Sequence, residues 1–179
     1  MKNFLLAKTR RQERFTIDCL RKLETPSILA IDFDGCLTDD HVFVDENGGE
    51  FVRASRKDGL GAGRLKALGI TVLIVSTEKN PIVSHRANKM QVEVRQAVHD
   101  KKKTLGDYAK VKGVNREKIW AVGNDVNDIG LFDSAGFTMC PSDASTEVKL
   151  IANLVLPLKG GDGILNFLAG AIEASNKLT

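Results

Sequence analysis

Five apolar runs of strand length recur along the chain: SILAI (27–31), ITVLIVS (70–76), KIWAV (118–122), GFTM (136–139) and NLVLPL (153–158). None alternates regularly with polar residues, and continuous apolar strands are those covered on both faces, as in a parallel sheet. Between the runs the spacing turns helical. DGLGAGRLKALG places Leu60, Leu65 and Leu68 on one side before Gly69, and NPIVSHRANKM opens with Asn80 as a cap and Pro81 at the first helical position. Three further helices are expected at about 101–112, 143–151 and 161–174. The alternation predicts an α/β fold, a parallel central sheet with helices over both faces.

One segment breaks the pattern. HVFVDENGGEFVRAS (41–55) has two β-rich arms around Asp45-Glu46-Asn47-Gly48-Gly49, which reads as a β-hairpin. It follows the first strand closely and so should project above the carboxyl end of the sheet.

Composition narrows the picture without changing it. A chain of 179 residues with 42% hydrophobic positions suits one core, so we expect a single domain over 27–179 behind a helical extension at 1–26. The net charge of +3, from 26 Lys and Arg against 23 Asp and Glu, is mild and spread out, and gives no reason to expect a nucleic-acid partner. The N-terminal apolar run from Phe4 to Ala7 is too short for an export signal, and no stretch approaches the roughly 20 apolar residues that span a bilayer. Cys19, Cys36 and Cys140 form no CxxC pair, which argues against disulfides and zinc and for a reduced, cytoplasmic setting.

The chemistry gathers where the strands end. In an open α/β sheet, ligands bind beyond the carboxyl ends of the strands. The first run ends in Asp32 and Asp34 followed by Gly35, the second in Ser76 and Thr77, the third in Asn124 and Asp125 with Asp128 close behind. Two nearby carboxylates repel each other and resist burial unless a cation compensates them. Asp32, Asp34, Asn124, Asp125 and Asp128 offer only hard oxygen ligands, which suit Mg²⁺. At least one of the last three is expected to cap the short helix that follows. Beside Mg²⁺, Asp32 is placed to attack phosphorus and form an aspartyl-phosphate, with Asp34 protonating the leaving oxygen and later activating water. A lysine from the run Lys101-Lys102-Lys103, Lys101 by preference and Lys102 as the alternative, would neutralise phosphoryl oxygens.

DFDGCLTDD, Ser76 after TVLIV, Lys101 and GNDVND (123–128) resemble, in that order, the four motifs of the haloacid dehalogenase-like hydrolases. The resemblance covers about residues 27 to 172. RKDGLG, STEKNPIVSHRANKM and KGGDG look like the branch of 3-deoxy-manno-octulosonate 8-phosphate phosphatases, nonulosonate 9-phosphate phosphatases and the C-terminal domain of some acylneuraminate cytidylyltransferases. It implies a Rossmann-like three-layer sandwich and a Mg²⁺-dependent phosphatase of lipopolysaccharide-sugar or sialic-acid biosynthesis. Asp32, Asp34, Ser76 and Lys101 would be catalytic. Asp32, Asp34, Asn124 and Asp125 would hold the metal. Gly35, Lys57, Thr77 and Arg86 would contact a phosphorylated 3-deoxy-2-keto sugar acid.

The intervals 33–75 and 77–100 are filled by the hairpin and helices, which leaves no room for a separate cap domain. A site left open by its own chain can be closed by a neighbouring subunit, and the resemblance implies a homotetramer with packed hairpins. Two departures stand out: Asn124 replaces an acidic residue common in relatives, and GGDGILNFL carries Asp162 and Asn166 where relatives have Gly-Gly-Arg-Gly and an Arg-Glu pair. Two competing readings are a non-catalytic oligomerisation module like those fused to cytidylyltransferases, and a phospho-accepting signalling domain.

Overall fold

In a computed structural model, which describes the backbone of residues 2–176 and the side chains of residues 11–174, helix α1 (Lys2–Leu20) precedes strand β1 (Ile28–Ile31). A hairpin of β2 (Thr38–Val44) and β3 (Glu50–Ala54) follows, then α2 (Arg56–Ala67), β4 (Thr71–Val75), α3 (Ile82–Met90), β5 (Glu93–Arg95) and α4 (Lys101–Lys112). The chain ends with β6 (Ile119–Val122), α5 (Ile129–Asp133), β7 (Phe137–Cys140), α6 (Thr146–Ile151), β8 (Leu154–Val155) and α7 (Ile164–Asn176). Met1 and residues 177–179, at the outer ends of the two expected segments, lie outside the described residues. Among the described residues no helix is long and apolar enough to cross a membrane.

Six strands form one parallel sheet in the order β5-β4-β1-β6-β7-β8. Because successive side chains of a strand point to opposite faces, β1 divides its four apolar residues between two cores. Leu29 and Ile31 join Val72, Ile74, Trp120 and Val122 under α2, α3 and α7. Ile28 and Ala30 join Leu73, Val75, Ile119 and Ala121 under α4 and α5. The result is the expected three-layer sandwich, with β1 at its centre between β4 and β6.

The expected helix starts have identifiable causes. Ser55 caps α2 by accepting the Lys57 N–H at 3.3 Å. α3 starts one residue later than expected, with Pro81 in the N-cap position and no side-chain cap, while Asn80 Oδ1 accepts the Ile82 N–H at 3.1 Å from just before it. The run 153–158 was expected to be one strand, yet only Leu154–Val155 pairs as β8, because Pro157 has no N–H to continue a ladder. β5 had no counterpart among the expected strands: it is three residues at the sheet edge, and its Glu-Val-Arg sequence carries no apolar run.

The hairpin stands as a separate two-stranded antiparallel sheet. Val42 pairs with Val52 and Phe43 with Phe51, and the register shifts between Thr38 and Val42, where Asp40 takes a left-handed φ of 64°. Asp45 Oδ1 closes the turn by accepting the N–H groups of Asn47 and Gly49, both at 2.8 Å. Phe43 and Phe51 remain 66% and 60% exposed.

The C-terminal segment reaches back to the first strand's loop. A Cβ at Gly160 would lie 2.2 Å from the Gly35 carbonyl oxygen, so only glycine admits this approach. The Gly161 N–H donates to the Cys36 carbonyl at 3.0 Å. Asp58, in the first turn of α2, fixes the helix that follows: its Oδ1 accepts the Leu165 N–H of α7 at 2.8 Å. Its Oδ2 is buried with no hydrogen-bond partner.

Burial pushes the Asp58 carboxyl up to about 6, against the opposing pull of the Leu165 N–H and Arg86. A carboxyl raised on folding holds its proton more tightly in the native state, so stability is withdrawn as pH rises from the ordinary carboxylate range to about 6. Asp58→Asn keeps the acceptor for Leu165 and abolishes the titration. Thermal or urea unfolding of both proteins across this window should show wild type losing stability relative to the variant with rising pH, by on the order of 2 kcal/mol.

Candidate active site

Asp32 continues the line of β1 for one residue, its N–H donating to the Val122 carbonyl at 3.0 Å. The chain then turns sharply, with the Leu37 and Thr38 N–H groups both donating to the Phe33 carbonyl, at 2.8 and 3.1 Å. Gly35 takes a φ of +73° in this turn, and its N–H donates to Thr38 Oγ1 at 3.2 Å. The turn leaves Asp32 and Asp34 together on the wall of one cleft.

Lys101 enters from the first turn of α4, whose start is capped by Asp100 Oδ1 accepting the Lys103 N–H at 2.8 Å. Its Nζ donates to Asp32 Oδ1 at 2.7 Å and to Asp128 Oδ1 at 2.6 Å, and all three residues are buried. Asp128 is itself oriented by backbone: its Oδ2 accepts the N–H groups of Asn124, at 2.8 Å, and Asp125, at 3.3 Å. Lys102 points elsewhere, forming an exposed ion pair with Asp133 at 3.0 Å. Of the two lysines considered, the geometry brings Lys101 to Asp32.

Ser76 lies buried at the end of β4, its N–H donating to the Arg95 carbonyl at 2.9 Å. Its Oγ accepts the Glu78 N–H at 3.1 Å. Thr77 joins Asp32, Asp34, Asp40, Asn124 and Asp125 around a cleft of about 290 Å³. A second hollow of about 280 Å³ opens from Asp34 and Asp40 beneath the hairpin, between Glu50, Glu78 and Asn80.

Lys57 and Arg86 are not among the residues that line either hollow. Arg86 Nη2 donates to the Ser55 carbonyl at 2.6 Å, and Lys57 packs beside Gly163. Asp125 lines the cleft but also caps the short turn at 126–128, its Oδ1 accepting the Val126 N–H at 2.7 Å. The pattern of strand-end polar residues missed Asp40 and Glu78. Asp40 sits inside a β-rich arm and reaches the cleft through its left-handed backbone, which no neighbouring residue type announces.

Acid exceeds base here. Burial and the neighbouring Asp128 charge push Asp32 up to about 7, with Lys101 working against them. Burial, Glu78 and Asp40 raise Asp34. Burial opposes the charge on Lys101, yet Asp32 and Asp128 outweigh it and raise its pKa above the ordinary lysine value.

Among the described residues no three His, Cys, Asp or Glu side chains group closely enough to hold a metal on their own. Asp128 is committed to Lys101 and to backbone N–H groups, so any cation here needs neutral oxygens as well as carboxylates. The Asp34 carbonyl and the Asn124 amide can supply them. One terminal atom of the Asn124 amide lies 2.8 Å from the Asp34 carbonyl oxygen. Together with the Asp32 carboxylate this all-oxygen set fits a hard divalent ion.

A parallel α/β sandwich with a lysine-bridged carboxylate at the end of its central strand is the architecture of the Rossmann-like HAD hydrolases. The chain belongs to the haloacid dehalogenase-like hydrolases, whose family model matches residues 65–168, and it is a phosphatase of that family. Over 147 residues it is 25% identical to the 3-deoxy-D-manno-octulosonate 8-phosphate phosphatase of Escherichia coli K12, covering 82% of this chain and 78% of that protein. It is 27% identical over 135 residues to the N-acylneuraminate cytidylyltransferase of Oncorhynchus mykiss, covering 73% of this chain but only 31% of that protein's length.

Solved structures agree. A HAD family hydrolase from Streptomyces avermitilis superposes with a TM-score of 0.80 at 38% identity, over 83% of this chain and 87% of that one. The cobalt-bound deoxy-D-mannose-octulosonate 8-phosphate phosphatase of Haemophilus influenzae gives 0.80 at 27% identity, over 88% and 92%.

The two lysines make distinct predictions. Lys101→Ala should lower kcat by about 10²–10³, since it removes a buried charge beside the reacting group. Lys102→Ala deletes only an exposed ion pair and should leave the rate within about twofold. Phosphate release by the two purified variants, measured against wild type, checks both.

Proposed function

We propose that the chain is a divalent-metal phosphatase that hydrolyses a phosphorylated 3-deoxy-2-keto sugar acid, an octulosonate 8-phosphate or a nonulosonate 9-phosphate. The observation that carries this reading is the buried Lys101 contact with Asp32 and Asp128 at the floor of an oxygen-rich cleft. Lys101 occupies Asp32 Oδ1 and leaves the other carboxylate oxygen for chemistry. That oxygen attacks phosphorus in line with the ester oxygen, a phosphorus–oxygen bond forms on Asp32, and the bond to the sugar breaks. Asp34 gives the departing sugar oxygen its proton. It then takes a proton from a water that attacks the same phosphorus, which releases inorganic phosphate and restores Asp32.

Asp34 suits the first of these roles because burial and its acidic neighbours favour its protonated form. Ser76 and Thr77 would donate to phosphoryl oxygens from the neighbouring strand end. Asp32, the Asp34 carbonyl and Asn124 would hold Mg²⁺, with Asp125 at the rim, and the ion would supply the positive charge that phosphoryl oxygens meet. The hollow under the hairpin offers carboxylates and an amide to sugar hydroxyls. Arg86 would reach the substrate's carboxylate only by leaving the Ser55 carbonyl, and Lys57 by swinging from its place beside Gly163. The phosphatases of sugar-acid phosphates among the relatives support this substrate class.

We further propose that the hairpins pack together in a homotetramer that works in the cytoplasm. Phe43 and Phe51, cross-strand neighbours, are exposed on one face of the hairpin, with Val42 and Val44 exposed on the other, apolar surface of the kind that marks protein contacts.

Two measurements test these statements. Phosphate release from both sugar-acid phosphates should require Mg²⁺ and stop with a chelator, and Asp32→Asn should lower it by roughly 10⁴-fold or more. Full release by the mutant would overturn the mechanism, and release from neither substrate would favour the oligomerisation reading. In light scattering, the double variant Phe43→Asp, Phe51→Asp should run as a monomer where wild type runs as a tetramer.

A further inference from the structure

Asn124 is the neutral residue in an otherwise carboxylate set, and its surroundings allow it one movement. It is 8% exposed. Its N–H donates to Asp128 Oδ2 and its carbonyl accepts the Ser145 N–H, both at 2.8 Å. Its amide lies flat on Gly35, where any Cβ would fall 2.0 Å from Nδ2. Backbone and side chain are therefore held in place. Rotation about the last torsion, which exchanges oxygen and nitrogen within the same outline, remains free.

The exchange matters because of what one end of the amide faces. That end lies 2.8 Å from the Asp34 carbonyl oxygen and 3.3 Å from Asp128 Oδ2, and both of these accept hydrogen bonds. With nitrogen there, the amide makes two hydrogen bonds. With oxygen there, three acceptors converge, and the donor described for that oxygen is the weak Cys36 thiol at 3.9 Å. Neighbouring ligand oxygens around an octahedral ion bound at about 2.0–2.1 Å stand roughly 2.9 Å apart. An oxygen at that position is thus stable only when it shares a cation with the Asp34 carbonyl.

We infer that the Asn124 amide turns over with cation occupancy, its nitrogen facing the Asp34 carbonyl in the metal-free protein and its oxygen facing it when a hard divalent cation is bound. This rests on the metal-dependent phosphatase reading and extends it. An aspartate cannot make the exchange, because both its oxygens would repel the Asp34 carbonyl whenever the ion leaves. The amide keeps the metal-free loop hydrogen-bonded, and as a neutral ligand it binds the ion less tightly than a carboxylate would.

The test follows the amide itself. In the full chain labelled with ¹⁵N, the Asn124 side-chain NH₂ pair is identified by its loss in Asn124→Asp, or in Asn124→Ser if that variant does not fold. Titration with MgCl₂ alone should move the pair and speed its exchange with solvent. By calorimetry, Asn124→Asp should bind Mg²⁺ about tenfold more tightly, because ligand charge sets affinity in all-oxygen sites. If Mg²⁺ binds wild type while the NH₂ pair stays unmoved, the amide does not turn and the inference falls with the phosphatase reading intact. If Mg²⁺ does not bind and phosphate release ignores chelator, both fall.

Discussion

The Lys101 ammonium sits between Asp32 and Asp128 in a region closed to water, and the carboxyl end of the sheet is organised around that contact. Its members come from three separate segments: the end of β1, the turn after β6 and the first turn of α4. Two buried carboxylates this close repel, and removing the cation between them would cost about 3–5 kcal/mol by the usual measure of a broken buried pair. Each partner is in turn fixed by backbone. Asp100 caps the helix that carries Lys101, the Asn124 and Asp125 N–H groups aim Asp128, and β6 receives Asp32 as an extension of the ladder. Small errors in any of these would be felt at the reacting oxygen.

One lysine does not balance the cleft. Asp34, Asp40 and Asp125 line it, and Glu50 and Glu78 stand just beyond. The substrate proposed above would be a multiple anion, which such a wall would repel at long range unless positive charge is added. A divalent ion at the floor and basic side chains at the mouth are the two available sources. The glycines of the 160–163 loop press this mouth together. They carry the C-terminal chain onto the Gly35 turn, and Arg53 of the hairpin pairs with Asp39 at 2.7 Å and reaches Asp162 at 3.7 Å. Asp162, which this loop offers at the mouth, is itself negative and faces Arg53.

Much of this was legible because burial on both faces leaves a direct trace. Strands β1, β4 and β6 are continuous apolar runs, and the polar residues that end them mark the functional edge. β5 left no such trace, since an edge strand can be made of Glu-Val-Arg. Lys101 was preferred over its neighbour Lys102 in the lysine run, and the phase of α4, set by the Asp100 cap, is what brings it to Asp32 and leaves Lys102 exposed. The hold of Asp58 on α7 depends on tertiary contact, which the local sequence does not encode. The approach of Asp40 to the cleft depends on a positive φ, a local backbone feature that side-chain periodicity does not encode.

The central place of β1 bears on how the protein comes into being. β1 precedes its ladder partners β4 and β6 in the chain, and the loop that packs on its terminal turn lies further still, at 160–163. Asp32 therefore emerges from the ribosome long before any of its native neighbours except those of its own turn. Contacts of such sequence separation form slowly because distant chain segments must first be brought together. Made before its ladder partners, β1 acquires its final environment only after they and the 160–163 loop exist, and a chain cut before that loop carries this centre unassembled.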